Sequence, residues 1–225
     1  MVFSGAGMSA ESGIKTFRDS GGLWEDYKIE DVATPEAWNR NPGLVLDFYN
    51  MRRKQVIAAK PNEAHLILAK LQQKFEMEII TQNIDDLHER AGSKHVLHLH
   101  GEIMKSRSTS DPSLVYTVKT DGIKAGDKCA KGSQLRPHIV WFGEMVPNME
   151  TAVAIVQTAD IFITIGTSLN VYPAAGLMDA APKDSRKFLI DPGTFNLGYI
   201  DNLSHIQEKA VKGMKIIEKQ LNESK

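Results

Sequence analysis

The 225-residue sequence has a single cysteine, almost no net charge and no long apolar run. Its single cysteine, Cys129, excludes an intrachain disulfide and suits a reducing compartment, so we expect a cytoplasmic protein. The formal net charge of −1, from 27 basic and 28 acidic residues, argues against nucleic acid or a membrane surface as a partner. No apolar stretch approaches the roughly 20 residues of a membrane span. No basic segment precedes the first apolar run, so we expect no signal peptide.

Short apolar runs rich in β-branched residues alternate with helical patterns. The runs predict buried parallel strands at Met1–Ser4, Met77–Thr81, His95–Leu99, Ile161–Ile165 and Lys187–Ile190. Helices are predicted over Pro35–Asn39, Pro42–Ala58, Asn62–Lys74, Thr151–Thr158 and Asn202–Leu221. This alternation indicates an α/β fold, a Rossmann-like parallel sheet with helices on both faces. The polar stretch Ile103–Arg136 predicts a smaller inserted module.

The segment Gly5–Gly13 follows the first predicted strand and contains Gly-x-Gly-x-x-Ala, the spacing of a dinucleotide-binding turn. Glycine lacks a Cβ atom, so the backbone can turn tightly and approach a pyrophosphate at the start of a helix. By itself the pattern is weak, since many glycine-rich turns bind nothing.

Polar clusters follow the other strands, at the edge of the sheet where ligands of such folds bind. Gln82–Asp85 can bind a ribose or a carboxamide, although a helix cap is the simpler interpretation. His100 ends a strand and can serve as a general base, as a structural histidine, or as a metal ligand with His98. No third ligand follows at metal spacing. Asp191 can accept from a ribose diol and would repel a 2′-phosphate, which favours NAD over NADP.

Taken together, these segments and several others resemble the sirtuin family of NAD-dependent protein lysine deacylases over essentially the whole chain. The matching motifs are Gly5–Ile14, Thr16–Arg18, Gly22–Trp24, Thr81–Asp85, His98–Gly101, Arg136–Glu144, Gly166–Ser168 and Val171–Pro173. The resemblance implies one catalytic domain over residues 1–225. Its Rossmann-like large part would comprise residues 1–30, 75–102 and 137–225, with a helical part at about 31–74 and a degenerate zinc-module insertion at about 103–136.

The resemblance makes NAD a consumed substrate rather than a redox carrier. It assigns NAD contacts to Gly5, Ala6, Gly7, Ser9, Ala10, Glu11, Thr16, Phe17, Arg18, Trp24, Gln82, Asn83, Ile84, Asp85, Gly166, Thr167, Ser168, Asp191 and Ala210. His100 and Asn83 would be catalytic. The acyl-lysine oxygen attacks the anomeric carbon of NAD and nicotinamide leaves. His100 then deprotonates the ribose diol, and water completes the release of free lysine and O-acyl-ADP-ribose.

The resemblance also implies an acylated-lysine protein or peptide as substrate. The sequence does not fix the oligomeric state, and we expect a monomer. The backbone of this substrate would be held by five residues, Val140, Phe142, Gly143, Glu144 and Val171. Tyr49 and Arg52 are three residues apart on one predicted helix and share a face, which by spacing alone suits an ordinary amphipathic helix. The pair resembles the Tyr-x-x-Arg of class III sirtuins, which remove succinyl, malonyl and glutaryl groups, and Ala37 matches a small residue of their acyl pocket. Arg53 remains an alternative to Arg52, and acetyl is an expected secondary acyl group.

The sequence departs from the family in the inserted module. Two Cys-x-x-Cys pairs that hold a structural zinc in most sirtuins correspond here to Ser108 with Asp111 and to Cys129 with Gly132. One thiolate cannot make the tetrahedral site that zinc prefers, so we predict no structural zinc. The module would then be held by packing. The candidate packing residues are Val115, Tyr116, Val118 and Ile123.

Overall fold

A computed structural model describes residues 1–15, 27–119, 121–167, 173–194 and 200–223. In these residues six strands form one sheet in the order β3-β2-β1-β7-β8-β9, and every neighbouring pair is parallel. The strands are β1 (Val2–Ser4), β2 (Ile79–Thr81), β3 (Val96–His98), β7 (Ile161–Ile165), β8 (Arg186–Ile190) and β9 (Leu203–Ile206). The predicted Rossmann-like sheet is confirmed.

Helices cover both faces of this sheet because its side chains alternate between two cores. Val2 and Ile79 face a core built with α5 (Glu63–Leu71) and α8 (Ala210–Glu223). Phe3 and Ile80 face the opposite core, built with α7 (Met149–Val156) and a 3₁₀ helix, Ala174–Ala180. Two short helices, α1 (Gly7–Ala10) and α6 (Leu87–Arg90), follow β1 and β2. No helix of the described ranges is long and apolar enough to span a membrane.

Three helices, α2 (Ile29–Val32), α3 (Pro35–Arg40) and α4 (Pro42–Ala58), form the helical part. Side-chain caps begin two of them. Thr34 Oγ1 accepts from Ala37 N at 3.0 Å, and Asn41 Oδ1 accepts from Leu44 N at 3.1 Å. The sequence grouped α5 with these helices, but α5 instead packs on the sheet against α8.

The inserted module is a three-stranded antiparallel sheet in the order β5-β4-β6. Its strands are β4 (Gly101–Ser108), β5 (Val115–Thr117) and β6 (Leu135–Ile139). Val118 and Ile123 pack on Leu46 of α4, as predicted. Val115 is 40% exposed, so its predicted packing role is wrong: it lies on the open side of β5. Tyr116 is half-buried, and its hydroxyl accepts from Ala130 N at 3.0 Å.

The predicted helix Asn202–Leu221 is wrong in its first part. Residues Leu203–Ile206 form β9, which pairs in parallel with β8, and the helix begins only at Ala210. Ser204 and His205 are exposed on this edge strand, so the segment lacks the continuous apolar run that marks the buried strands.

Candidate active site

The loops after β1 and β7 interlock at the carboxyl edge of the sheet. Gly5 N donates to the Ile165 carbonyl at 2.9 Å, and Gly7 N donates to the Gly166 carbonyl at 2.8 Å. A Cβ atom on Gly166 would lie 2.5 Å from the Gly7 carbonyl carbon, and the φ of Gly166 is 61°. The two loops therefore need glycine for their contact with each other, in addition to any approach of a phosphate.

Ser9 joins the first loop to the polar segment after β2. Its hydroxyl donates to Asp85 Oδ2 at 2.9 Å and accepts from Asn83 Nδ2 at 3.1 Å. All three side chains are buried, and this burial raises the pKa of Asp85. Asp85 Oδ1 also accepts from Leu87 N, the first residue of α6, at 3.2 Å. The Asp85 side chain thus contacts both the glycine loop and the start of α6, whereas the N-cap residue itself, Asp86, makes no side-chain cap hydrogen bond.

Gln82 reaches the loop after β7. Thr167 Oγ1 donates to Gln82 Oε1 at 3.3 Å. Gln82 Nε2 is buried and has no acceptor among the described residues. A buried amide donor left without an acceptor costs free energy, and a ribose or carboxamide oxygen would satisfy it. This donor makes the edge a suitable place for the nicotinamide riboside half of NAD. The carbonyl of Ile84, in the same segment, accepts from Ile103 N on β4 at 2.8 Å.

His100 lies just beyond β3, with its ring Nδ1 3.1 Å from the Gln82 carbonyl oxygen. Since a carbonyl oxygen can only accept, Nδ1 carries a hydrogen and the neutral ring has its lone pair on Nε2. Burial lowers the pKa of His100, although the Gln82 carbonyl acts in the opposite direction. The ring is therefore a neutral base at neutral pH.

The segment from Val140 to Glu144 runs beside the base. Val140 N donates to the His100 carbonyl at 2.9 Å. Phe142 is 49% exposed, and Gly143 next to it has a φ of 88°. The side chain of Glu144 points inward. Its carboxylate accepts from the guanidinium of Arg136 at 2.8 and 3.0 Å, from that of Arg107 and from Trp141 N. Its carboxylate thus fixes the loop, and the exposed Phe142 side chain remains for a substrate.

Three buried side chains, those of Ala37, Tyr49 and Arg52, mark the predicted acyl pocket. Tyr49 Oη accepts from Trp141 Nε1 at 3.1 Å, a contact that the sequence did not predict. Burial raises the pKa of Tyr49, so its hydroxyl keeps its proton and can donate it. Arg52 Nη1 donates to Gln55 Oε1 at 3.0 Å, one turn further along α4.

Arg53, the alternative to Arg52, has a structural role. Its Nε donates to the Ile103 carbonyl at 2.8 Å, and Nη1 donates to Asn50 Oδ1 at 2.6 Å. Asn50 in turn hydrogen-bonds both backbone groups of Ile123. Arg53 therefore ties α4 to the inserted module.

Two residues that are predicted to contact the adenosine half of NAD lie after β8 and at the start of α8. Asp191 follows β8, is buried, and its Oδ1 accepts from Gly193 N at 2.8 Å. Ala210 is the buried first residue of α8. Glu11 Oε2 accepts from Val211 N at 2.9 Å, so this side chain joins the glycine loop to α8.

The remaining predicted residues divide into two groups. Ala6 is exposed and Ala10 half-buried on the turn of the first loop. Six positions lie outside the described residues, namely Thr16, Phe17, Arg18, Trp24, Ser168 and Val171.

Hydroxyl and ionic contacts surround Ser108 and Asp111, two of the four positions that correspond to the family's zinc ligands. Ser108 Oγ accepts from the backbone N of Ser110 and of Asp111, each at 3.2 Å. Lys131 Nζ pairs with Asp111 Oδ2 at 2.8 Å, and Ser133 Oγ donates to Ser110 Oγ at 2.7 Å. The described ranges contain no group of three or more His, Cys, Asp or Glu side chains placed to hold a metal ion.

We expect removal of metals to leave the protein intact, because these contacts need no ion. Elemental analysis of purified protein should find less than about 0.1 zinc per chain, and dialysis against a chelator should leave the thermal midpoint within about 1 °C. Re-addition of zinc to the dialysed sample is the control. One zinc per chain, or a fall in the midpoint that zinc reverses, would contradict the prediction.

The sequence and the fold both match known proteins. Residues 5–173 match the model of the Sir2 family. A protein of Bacteroides thetaiotaomicron called NAD-dependent protein deacylase is 57% identical over 197 residues, which cover 85% of this chain and 84% of the relative. A Helicobacter pylori protein with the same name is 53% identical over 214 residues, covering 95% and 93%.

Solved structures show the same fold with ligands. The crystal structure of a Sir2 homologue in complex with NAD has a TM-score of 0.89 and 39% identity, and the match covers 100% of this chain and 89% of that one. A Sir2 complex with a deacetylated p53 peptide and 3′-O-acetyl ADP ribose has a TM-score of 0.81 and 30% identity, covering 97% and 92%.

Proposed function

The chain belongs to the Sir2 family, and we infer from this and from the site that it is an NAD-dependent protein deacylase that prefers negatively charged acyl groups. The site residues support the general activity. Ser9, Asn83 and Asp85 form one buried hydrogen-bonded group at the sheet edge, next to the unsatisfied amide donor of Gln82. NAD supplies the ADP-ribose that receives the acyl group.

The protein residues divide the chemistry between binding and proton transfer. Asn83 and Gln82 offer amide groups to the ribose and the carboxamide. His100 Nε2 takes the proton of a ribose hydroxyl, since its Nδ1 hydrogen is held by the Gln82 carbonyl. The exposed side chain of Phe142, on the turn of residues 142–144, offers an apolar contact to the peptide that carries the acyl-lysine.

The buried pair of Tyr49 and Arg52 carries the acyl preference. Arg52 is only 4% exposed, and it brings a permanent positive charge to the helix face that also presents Tyr49. A guanidinium fork and a phenol hydroxyl together suit a carboxylate. Ala37, fully buried in the same apolar cluster as Tyr49, is the small residue that the resemblance assigns to the acyl pocket. Succinyl, malonyl and glutaryl groups end in such a carboxylate, whereas acetyl does not.

Arg52→Met should lower kcat/KM for a succinyl-lysine peptide by about 10- to 100-fold, the cost of one lost charged hydrogen-bond contact. Activity on the matched acetyl-lysine peptide should stay within about threefold. The measurement is a release assay on acetyl, malonyl, succinyl and glutaryl versions of one peptide.

Lys54→Met is the matched control, because Lys54 is exposed on the same helix. It should leave both activities unchanged. An equal loss of succinyl and acetyl activity in Arg52→Met would refute the carboxylate role. A wild-type enzyme that prefers acetyl would make the protein a plain deacetylase, and ADP-ribose transfer without acyl release would make it an ADP-ribosyltransferase. The cytoplasmic location, the monomeric state and the lack of affinity for nucleic acid stay predictions.

A further inference from the structure

Both ring nitrogens of His98 have hydrogen-bond partners, one in the segment after β2 and one on α6. Nδ1 lies 3.0 Å from the carbonyl oxygen of Asn83, and Nε2 lies 2.7 Å from Glu89 Oε1. A carbonyl oxygen can only accept, and an ionised carboxylate can only accept. Both ring nitrogens must therefore carry hydrogen, which is possible only in the imidazolium form.

We propose that His98 is a positioning residue for the NAD-binding segment, acting as an imidazolium that Glu89 holds in its charged form and that fixes the backbone carbonyl of Asn83. His98 and His100 lie on the same side of the chain and hold the consecutive carbonyls of Asn83 and Gln82. His100 uses Nδ1 to donate to the Gln82 carbonyl, and its Nε2 keeps a lone pair that can accept a proton. Both ring nitrogens of His98 donate, so His98 has no lone pair and cannot replace His100 as the base.

Glu89 and Glu102 favour the positive charge on His98, whereas His88 does not, since His98 helps to lower the pKa of His88. Glu89 and His88 face it from α6, Asp85 from the segment after β2, and Glu102 from β4. Lys105, Arg107 and His138 line the same cavity as His98, which has a volume of about 570 Å³. Asn148, the residue before α7, presents a neutral amide that donates to the His98 carbonyl at 2.9 Å. Burial by itself lowers the pKa of His98, but Glu89 and the Asn83 carbonyl outweigh it, and the pKa is raised.

The two histidines consequently limit activity from opposite sides. His100, whose pKa lies below its ordinary value of 6.5, gains a proton and stops acting as a base as the pH falls. His98, whose pKa lies above 6.5, loses a proton as the pH rises, and either its contact with Asn83 or its contact with Glu89 is then lost. A bell-shaped dependence of kcat/KM for NAD follows, with an ascending limb from His100 and a descending limb from His98.

Glu89→Gln separates this role from simple packing. Glutamine keeps an oxygen that accepts from Nε2 but removes the charge, so the descending limb should move down by about one pH unit while the ascending limb stays in place. Below the descending limb, kcat should remain within about threefold of wild type. His98→Gln should raise KM for NAD by about tenfold and lose the descending limb, because glutamine does not titrate.

Glu78→Gln is the control, since Glu78 lies near His95 at the opposite end of β3 and its side chain does not contact His98. An unmoved descending limb in folded Glu89→Gln overturns the proposal. A measurement on the wild-type protein makes the test independent of any variant. A nitrogen-15 NMR titration should show that His98 loses its second ring proton only above pH 6.5, and a ring that becomes neutral at or below pH 6.5 overturns the proposal as well.

Discussion

His100→Asn is expected to lower the kcat of deacylation by about 10²- to 10⁴-fold, the usual contribution of a positioned general base. Asparagine places an amide nitrogen where His100 has Nδ1, so the donor to the Gln82 carbonyl is kept. It has no atom in the place of Nε2 and no basic lone pair. The binding segment should stay ordered, and KM for NAD should change by no more than about threefold.

An exchange assay distinguishes loss of the base from collapse of the site. In the proposed reaction nicotinamide leaves before His100 takes its proton, so His100→Asn should still exchange labelled nicotinamide into NAD when acyl-lysine peptide is present. Wild-type deacylation should decline as the pH falls through the lowered pKa of His100, below 6.5. A variant that deacylates within about threefold of wild type would show that the base lies elsewhere.

Gly166→Ala is expected to damage folding and NAD binding together. The new Cβ atom would lie 2.5 Å from both the Gly7 carbonyl carbon and Met8 N, which are backbone atoms that cannot rotate away. The loops after β1 and β7 must then separate, and the hydrogen bond from Gly7 N to the Gly166 carbonyl is lost. We expect the free energy of unfolding to fall by about 2–4 kcal/mol from overpacking and backbone strain. The Kd for NAD should rise by about 100-fold, because the displaced loops carry the predicted pyrophosphate contacts.

Gly126→Ala isolates the contribution of backbone strain. Gly126 also has a positive φ, 94°, but a Cβ atom there would meet nothing within 4 Å. Because only the positive φ is unfavourable, the free energy of unfolding should fall by only about 1 kcal/mol. Because Gly126 lies in the inserted module, the affinity for NAD should be unchanged. Denaturant unfolding and calorimetric titration with NAD measure both quantities. Similar losses of stability in the two variants would show that the loop contact is unimportant.

Much of the sheet was predictable because each buried strand is a short apolar run. β1, β2, β7 and β8 all follow this rule. β9 does not, since Ser204 and His205 are exposed on the sheet edge. The inserted module was predicted as a unit, but not its strands, because only Val118 and Ile123 of its four candidate residues are buried.

The sequence predicted which loops form the candidate site, but not which side chains contact one another across those loops. Motifs after strands locate Gly5, Asn83, His100 and Gly166 at one edge, since parallel strands bring their carboxyl ends together. Sequence spacing contains no information on which side chain meets which across these loops. The contacts of Ser9 with Asp85 and of Trp141 with Tyr49 therefore emerge only from the packed structure. The inward turn of the Glu144 carboxylate arises in the same way, from Arg107 and Arg136 on β4 and β6.

The central position of β1 affects how the protein is made. This strand pairs on one side with β2 and on the other with β7, whose last residue is Ile165. At about 5–20 residues per second, a ribosome needs on the order of 10–30 s to extend the chain from the first strand to the seventh. During that interval Val2 and Phe3 have no complete core to enter, and one edge of β1 stays unpaired. Translation speed and chaperone supply, rather than the final stability of the enzyme, therefore set how long this apolar strand is open to aggregation.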